Sequence, residues 1–173
     1  MPLFVVGLAW LQELLDSMLF RGQWTLAYGP GSPWWTLLTA PLSHGGSGHL
    51  LANTLAFVPL SYLVISQGLQ KYWAVWIAVI SLEIPVWLFW PTGSHGLSGV
   101  VYGLLGLLLT LGLIERRIIT LGLSMLALVL YGSSLIGLLP WASPPGVSWI
   151  GHASGFLAGV LAAFATARQP TSP

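Results

Sequence analysis

Apolar residues run along this chain in long unbroken stretches, and the polar ones gather in short clusters between them. The first stretch covers about 3–19, interrupted only by Glu13 and Asp16. Five more cover about 48–66, 72–90, 97–114, 118–139 and 149–166. The separators are polar or helix-breaking: Gln67-Gly68-Leu69-Gln70-Lys71, Pro91-Thr92-Gly93-Ser94-His95, Glu115-Arg116-Arg117, and Pro140 to Ser148. Each stretch is close to the roughly 20 apolar residues that a helix needs to cross a bilayer core. A spanning barrel would instead show strands of about ten alternating residues. The pattern predicts an all-α membrane protein of six transmembrane helices, a single membrane domain over 1–173 with no room for a soluble one.

The segment 21–47 is different. It carries Gly29-Pro30-Gly31-Ser32-Pro33, then Trp34-Trp35, then Ser43-His44-Gly45-Gly46-Ser47. That is too broken for a span and too aromatic for an ordinary water-exposed loop. Trp and Tyr concentrate at the membrane–water boundary, so the segment reads as a structured interfacial loop.

Composition agrees. The chain is 55% hydrophobic and only 5% charged, whereas a soluble domain devotes about a quarter of its residues to charge. Disorder is excluded by the same numbers. A net charge of +1 offers no basic patch for nucleic acid. With no Cys there is no disulfide, thiolate metal site or cysteine nucleophile. Met1-Pro2-Leu3 lacks a basic leader, so the first helix is expected to insert as part of the mature fold. The short tails predict no regulatory domain in this chain.

The few basic residues set the expected topology. Lys71, Arg116, Arg117 and Arg168 follow the second, fourth and sixth stretches, and only Arg21 falls on the other side. The positive-inside rule then makes both termini cytoplasmic. Even-numbered spans run from outside to inside. His49 and Asn53 begin the second, Ser98 the fourth and His152 the sixth, so all four belong in the outer half of the membrane.

Intramembrane polar groups are costly and are functional candidates. A Ser and a His at equal depth make a possible nucleophile–base pair. Acyl transfer also needs donors for an oxyanion, and His49 and Asn53, spaced i and i+4, present N–H groups from one helix face. No spacing ties Glu13, Asp16, Glu83 or Glu115 to His152, so a dyad is the simpler reading. Tyr102, one turn after Ser98, is placed to hold the imidazole by ring contact.

Blander roles compete. Ser98 could be a small residue at a helix crossing, and His49 and Asn53 interhelical hydrogen bonders. Gly99, Gly103 and Gly106, with Gly151, Gly155 and Gly159, read as packing surfaces that let spans four and six approach closely. His44 reads as structural, and His95 as part of a water-exposed turn. Glu83, beside Pro85, would satisfy freed backbone groups or pair across the bundle. Glu13 and Asp16 are expected to face water at the outer end of span one. Tyr72, Trp73, Trp76, Trp87 and Trp90 read as interface anchors. No His-Glu-x-x-His is present, and no metal or cofactor is expected.

Three motifs then fall in order. Gly96-Leu97-Ser98-Gly99 resembles the G-x-S-G of rhomboid intramembrane serine proteases. His49-Leu50-Leu51-Ala52-Asn53 resembles their H-x-x-x-N, and Gly151-His152-Ala153-Ser154-Gly155 their last-helix G-H-x-x-G. The resemblance implies Ser98 as nucleophile and His152 as base. It also implies an oxyanion hole from His49, Asn53 and the backbone N–H of Ser98, and Tyr102 packed on the imidazole. His44 matches a histidine often found five residues before the H-x-x-x-N. Segment 21–47 would be the family's membrane-embedded first loop, in which Trp34-Trp35-Thr36 lacks the usual Arg.

The function so implied is a serine endopeptidase that cuts single-pass transmembrane substrates near the outer leaflet, after a small residue. Its site would open to the extracytoplasmic side and need no cofactor. A catalytically silent rhomboid-like protein that binds membrane clients is the alternative. A proton-coupled transporter using Glu83 and the histidines would show duplicated halves, and no such repeat is present.

Overall fold

The computed structural model describes residues 1–143 and 147–167. Helix α1 (Pro2–Leu15) runs on through a π-helical turn (Asp16–Phe20) and stops at Arg21 in the left-handed conformation. The short α2 (Thr36–Thr39) and a 3-10 turn (Ala40–Leu42) lie in the following loop. Then come α3 (Ser47–Gln67), α4 (Leu69–Phe89), α5 (Ser98–Glu115) and α6 (Ile118–Tyr131). A 3-10 stretch (Gly132–Leu138) extends α6, and α7 (Trp149–Thr166) ends the described chain. No strand occurs among the described residues; an isolated bridge pairs Tyr28 with Ser94.

Six of these segments are long and apolar enough to cross a bilayer. Their outward faces expose large apolar side chains such as Phe4, Leu55, Ile77, Phe89, Leu113, Ile118, Val129 and Phe164. Such a surface suits lipid and would aggregate in water. The protein is an integral, multi-pass membrane protein.

Helix α5 is the axis of the bundle, with every residue from 100 to 108 buried. Its glycines explain how α7 lies against it. A Cβ on Gly155 would strike the Gly99 carbonyl, and one on Gly159 the Gly103 carbonyl. Both contacts advance by four residues, so α5 and α7 run parallel, backbone against backbone. On another face, Val75 and Val79 crowd Gly103 while Glu83 faces Gly99, so α4 runs antiparallel to α5. Without a hydrophobic drive between helices in lipid, such close packing holds them together.

The structure corrects several expectations. The polar stretch after span two is not a loop: Gly68, at φ 135, reverses the chain alone and α4 begins at Leu69. Lys71 is therefore buried on α4, with Nζ 2.6 Å from Glu115 Oε1 on α5 and both side chains 1% exposed. A buried cation is tolerable only when so paired. Tyr72, expected at the interface, is buried in the core for the same reason. Arg168, and Pro144 and Pro145 before α7, lie outside the described residues.

Glu13 and Asp16 are not on the outer surface: they are buried at 7% and 8% exposure, along an open cavity shared with Ser17, Arg21 and His44. The loop folds back over them, and Asp16 Oδ1 accepts the Trp24 N–H at 2.7 Å. Nearby, Gln12 Nε2 donates to the Trp24 carbonyl at 2.9 Å. Ser43 Oγ accepts from Leu26 N–H, and Thr39 Oγ1 donates to the Leu26 carbonyl, both at 3.2 Å. Trp87 Nε1 on α4 reaches the Ser32 carbonyl at 3.0 Å. These bonds pin the loop to the bundle.

Candidate active site

Ser98 owes its position to the turn before it. Gly96 has φ 94, a conformation that favours glycine, and its N–H donates to the Ala40 carbonyl at 2.8 Å. The next N–H, of Leu97, donates to His44 Nε2 at 3.2 Å. Helix α5 then begins, so the Ser98 N–H belongs to the first turn, which has no intrahelical acceptors. On α7, Ser148 Oγ caps the helix by accepting the Gly151 N–H at 3.2 Å, and His152 follows in the first turn.

The two helices bring Ser98 Oγ within 3.1 Å of His152 Nε2. His152 Nδ1 lies 3.1 Å from the carbonyl oxygen of Gly137. A carbonyl only accepts, so Nδ1 carries the proton and Nε2 is left to accept from the serine hydroxyl. The Tyr102 ring stacks on the imidazole at 4.3 Å between centroids and 21° between planes. Its hydroxyl donates to the Ser134 carbonyl at 2.6 Å. Gly137 and Ser134, both in the 3-10 extension of α6, were not anticipated. The one sequence signal was Gly132-Ser133-Ser134 and Gly137 interrupting an otherwise apolar run.

His49, Ser98 and His152 line one small cavity with Gly93, Ser94, His95, Val147 and Ser148. Asn53 is buried one turn along α3, where its amide donates to the His49 carbonyl at 3.2 Å rather than into the cavity. A second amide N–H remains to it. Glu83 does reach across the bundle, accepting from Ser154 Oγ at 3.1 Å. It makes no bond to His152.

All four histidines of the chain gather near Ser98. His44 is buried, and burial first, then the neighbouring His49, push its pKa down to about 4. That neutral state matches its bonds: Nε2 accepts from Leu97, and Nδ1 faces the Leu42 carbonyl at 3.4 Å. His95 was expected in a water-exposed turn. The Tyr28–Ser94 bridge instead pulls the turn inward, leaving His95 half-buried beside the His49 ring. Burial also lowers its pKa. Among the described residues no group of three or more His, Cys, Asp or Glu is placed to hold a metal ion.

Fold and site together define a multi-pass membrane protein with a serine–imidazole pair held inside its helical bundle. The Rhomboid domain family matches residues 31–169, and the chain belongs to the rhomboid family, a family of intramembrane proteases. It is 37% identical over 139 residues to the uncharacterized protein Rv1337 of Mycobacterium tuberculosis, covering 75% of this chain and 58% of that protein. It is 34% identical to an uncharacterized protein of Mycobacterium leprae, covering 75% of this chain and 55% of that one. Over 86 residues it is 36% identical to Rhomboid protease GluP of Bacillus subtilis, covering 49% of this chain and 17% of that protein. The chain thus spans little more than half the length of its mycobacterial relatives. No solved structure matches it.

Proposed function

We propose that the protein is an intramembrane serine endopeptidase acting through a Ser98–His152 dyad on single-pass transmembrane substrates. The observation that carries the proposal is the 3.1 Å contact between Ser98 Oγ and His152 Nε2, with Nδ1 tied to a carbonyl. This tautomer lets His152 take the proton as Ser98 attacks a peptide carbonyl. The same proton then passes to the leaving amine, and water hydrolyses the acyl-enzyme. The oxyanion would form beside the Ser98 N–H, the His49 imidazole and, after a side-chain turn, the free amide proton of Asn53. Helices α3, α5 and α7 all begin at this level, so their positive ends favour negative charge there.

Water must reach the site, and a polar cavity lined by protein is the tolerated way to admit it at membrane depth. The basic residues of the α5–α6 connection, Arg116 and Arg117, lie at the opposite end of α5 from Ser98. By the positive-inside rule that end is cytoplasmic, and the site opens to the extracytoplasmic side. A substrate helix must unwind before its carbonyl is exposed, which favours helix-breaking residues near the outer end of its span.

The test is cleavage, in proteoliposomes, of a panel of single-pass helices with and without a Gly/Pro pair near the outer end. Wild type should cut the broken helices, and Ser98→Ala should cut none. A client-binding protein would retain its substrates in both forms and cut them in neither.

A further inference from the structure

His49 is the donor whose orientation the proteolytic reading most needs, and no hydrogen bond holds either of its ring nitrogens among the described residues. Two rings hold it instead. His44 meets it edge-on at 5.3 Å and 71°, and His95 from the turn before α5 at 5.9 Å and 69°. His44 is itself fixed by the Leu97 N–H. Gly96 lies beside the ring as well, since a Cβ there would stand 3.4 Å from His49 Cε1. His95 lines the same cavity as Ser98 and His152. Its Nε2 points elsewhere, toward Gly45, where a Cβ would stand 3.4 Å away. His95 Nε2 is therefore not aimed at a reacting group; the contact its ring makes in the site is the edge-on approach to His49.

We infer that His95 is a positioning residue: its ring holds the His49 imidazole in the orientation that presents an N–H to the oxyanion at Ser98. The inference rests on the proteolytic reading for its consequence, though not for the ring contact itself. Aromatic rings prefer such edge-on arrangements, and a phenyl ring makes them as well as an imidazole does.

Two measurements on the full chain in micelles test it. The first is the rate of labelling by a fluorophosphonate, separated into kinact and KI. His95→Ala and the volume-filling His95→Leu should lower kinact by about tenfold with KI changed by less than about twofold. His95→Phe should label within about threefold of wild type. Wild-type labelling in the Ala and Leu variants overturns the inference. So does a loss confined to KI, or a Phe variant as slow as Ala. The second is the ring 15N spectrum of the histidines, which needs no activity. His49 signals should shift in His95→Leu and return in His95→Phe; His49 signals that ignore His95 overturn the inference. An unlabelled wild type with the expected spectra would instead count against the proteolytic reading alone.

Discussion

The imidazole of His152 is oriented by main chain: its Nδ1 lies 3.1 Å from the carbonyl oxygen of Gly137. A carboxylate in that place would both orient the ring and stabilise its charged form, as in Ser-His-Asp triads. A carbonyl orients it and adds only a dipole. The bundle supplies this partner by tightening the end of α6 into a 3-10 turn beside α7.

Because the partner is backbone, it is disturbed by adding atoms rather than removing them. A Cβ on Gly137 would press on the Tyr102 hydroxyl and stand 3.3 Å from His152 Nδ1. Gly137→Ala is expected to slow fluorophosphonate labelling by about tenfold or more while the helical circular dichroism stays unchanged.

The α5–α7 contact leaves no room for a methyl group. Gly155→Ala and Gly159→Ala should each destabilise the fold by about 1–3 kcal/mol, read from unfolding in mixed micelles. Gly122 on α6 has nothing within 4 Å of where a Cβ would lie. Gly122→Ala should leave stability unchanged or raise it by about 0.5–1 kcal/mol, through the lower helix cost of alanine.

Tyr102 has two separable roles, a ring stacked on His152 and a hydroxyl bonded to the Ser134 carbonyl. Tyr102→Phe keeps the stack and should lose about 1 kcal/mol of stability with labelling nearly intact. Tyr102→Ala loses the stack and should slow labelling by about tenfold or more. Labelling kinetics and unfolding on the same two variants check both halves.

His44 ties the loop to the start of α5 in its neutral form, with a pKa of about 4 against an ordinary 6.5. An unfolded chain takes up this proton near its ordinary pKa, and the folded chain resists it. The contribution of His44 to stability is thus fully present above the unfolded pKa and falls as pH drops toward about 4. Stability against unfolding should fall by about 2 kcal/mol as pH drops from about 7 to about 4.5. His44→Gln, which keeps an acceptor but does not titrate, should lack that part of the slope.

The six spans were legible because lipid forces backbone bonding inside each segment, which leaves long apolar runs in the sequence. The proximity of Ser98, His152 and Tyr102 was legible because each begins, or lies one turn into, an even-numbered span, and such spans run the same way through the bundle. What the sequence hid was burial among neighbours. Lys71 looked like a loop cation until a one-glycine reversal buried it against Glu115. Asp16 looked wet until the Trp24 N–H closed over it. The depth of His95 depends on a bridge between Tyr28 and Ser94, far apart in sequence. A carbonyl acceptor such as that of Gly137 has no signature of its own, since every residue has one; only the small and polar residues that break the apolar run, Gly132-Ser133-Ser134 and Gly137, marked the stretch.

The most direct test of the dyad is fluorophosphonate labelling of folded protein in detergent, with Ser98→Ala and His152→Ala beside wild type. Wild type is expected to be labelled on Ser98, and labelling is expected to disappear in both variants. Folded wild type that stays unlabelled in micelles and in a bilayer, while a known serine hydrolase reacts in the same mixture, would contradict it.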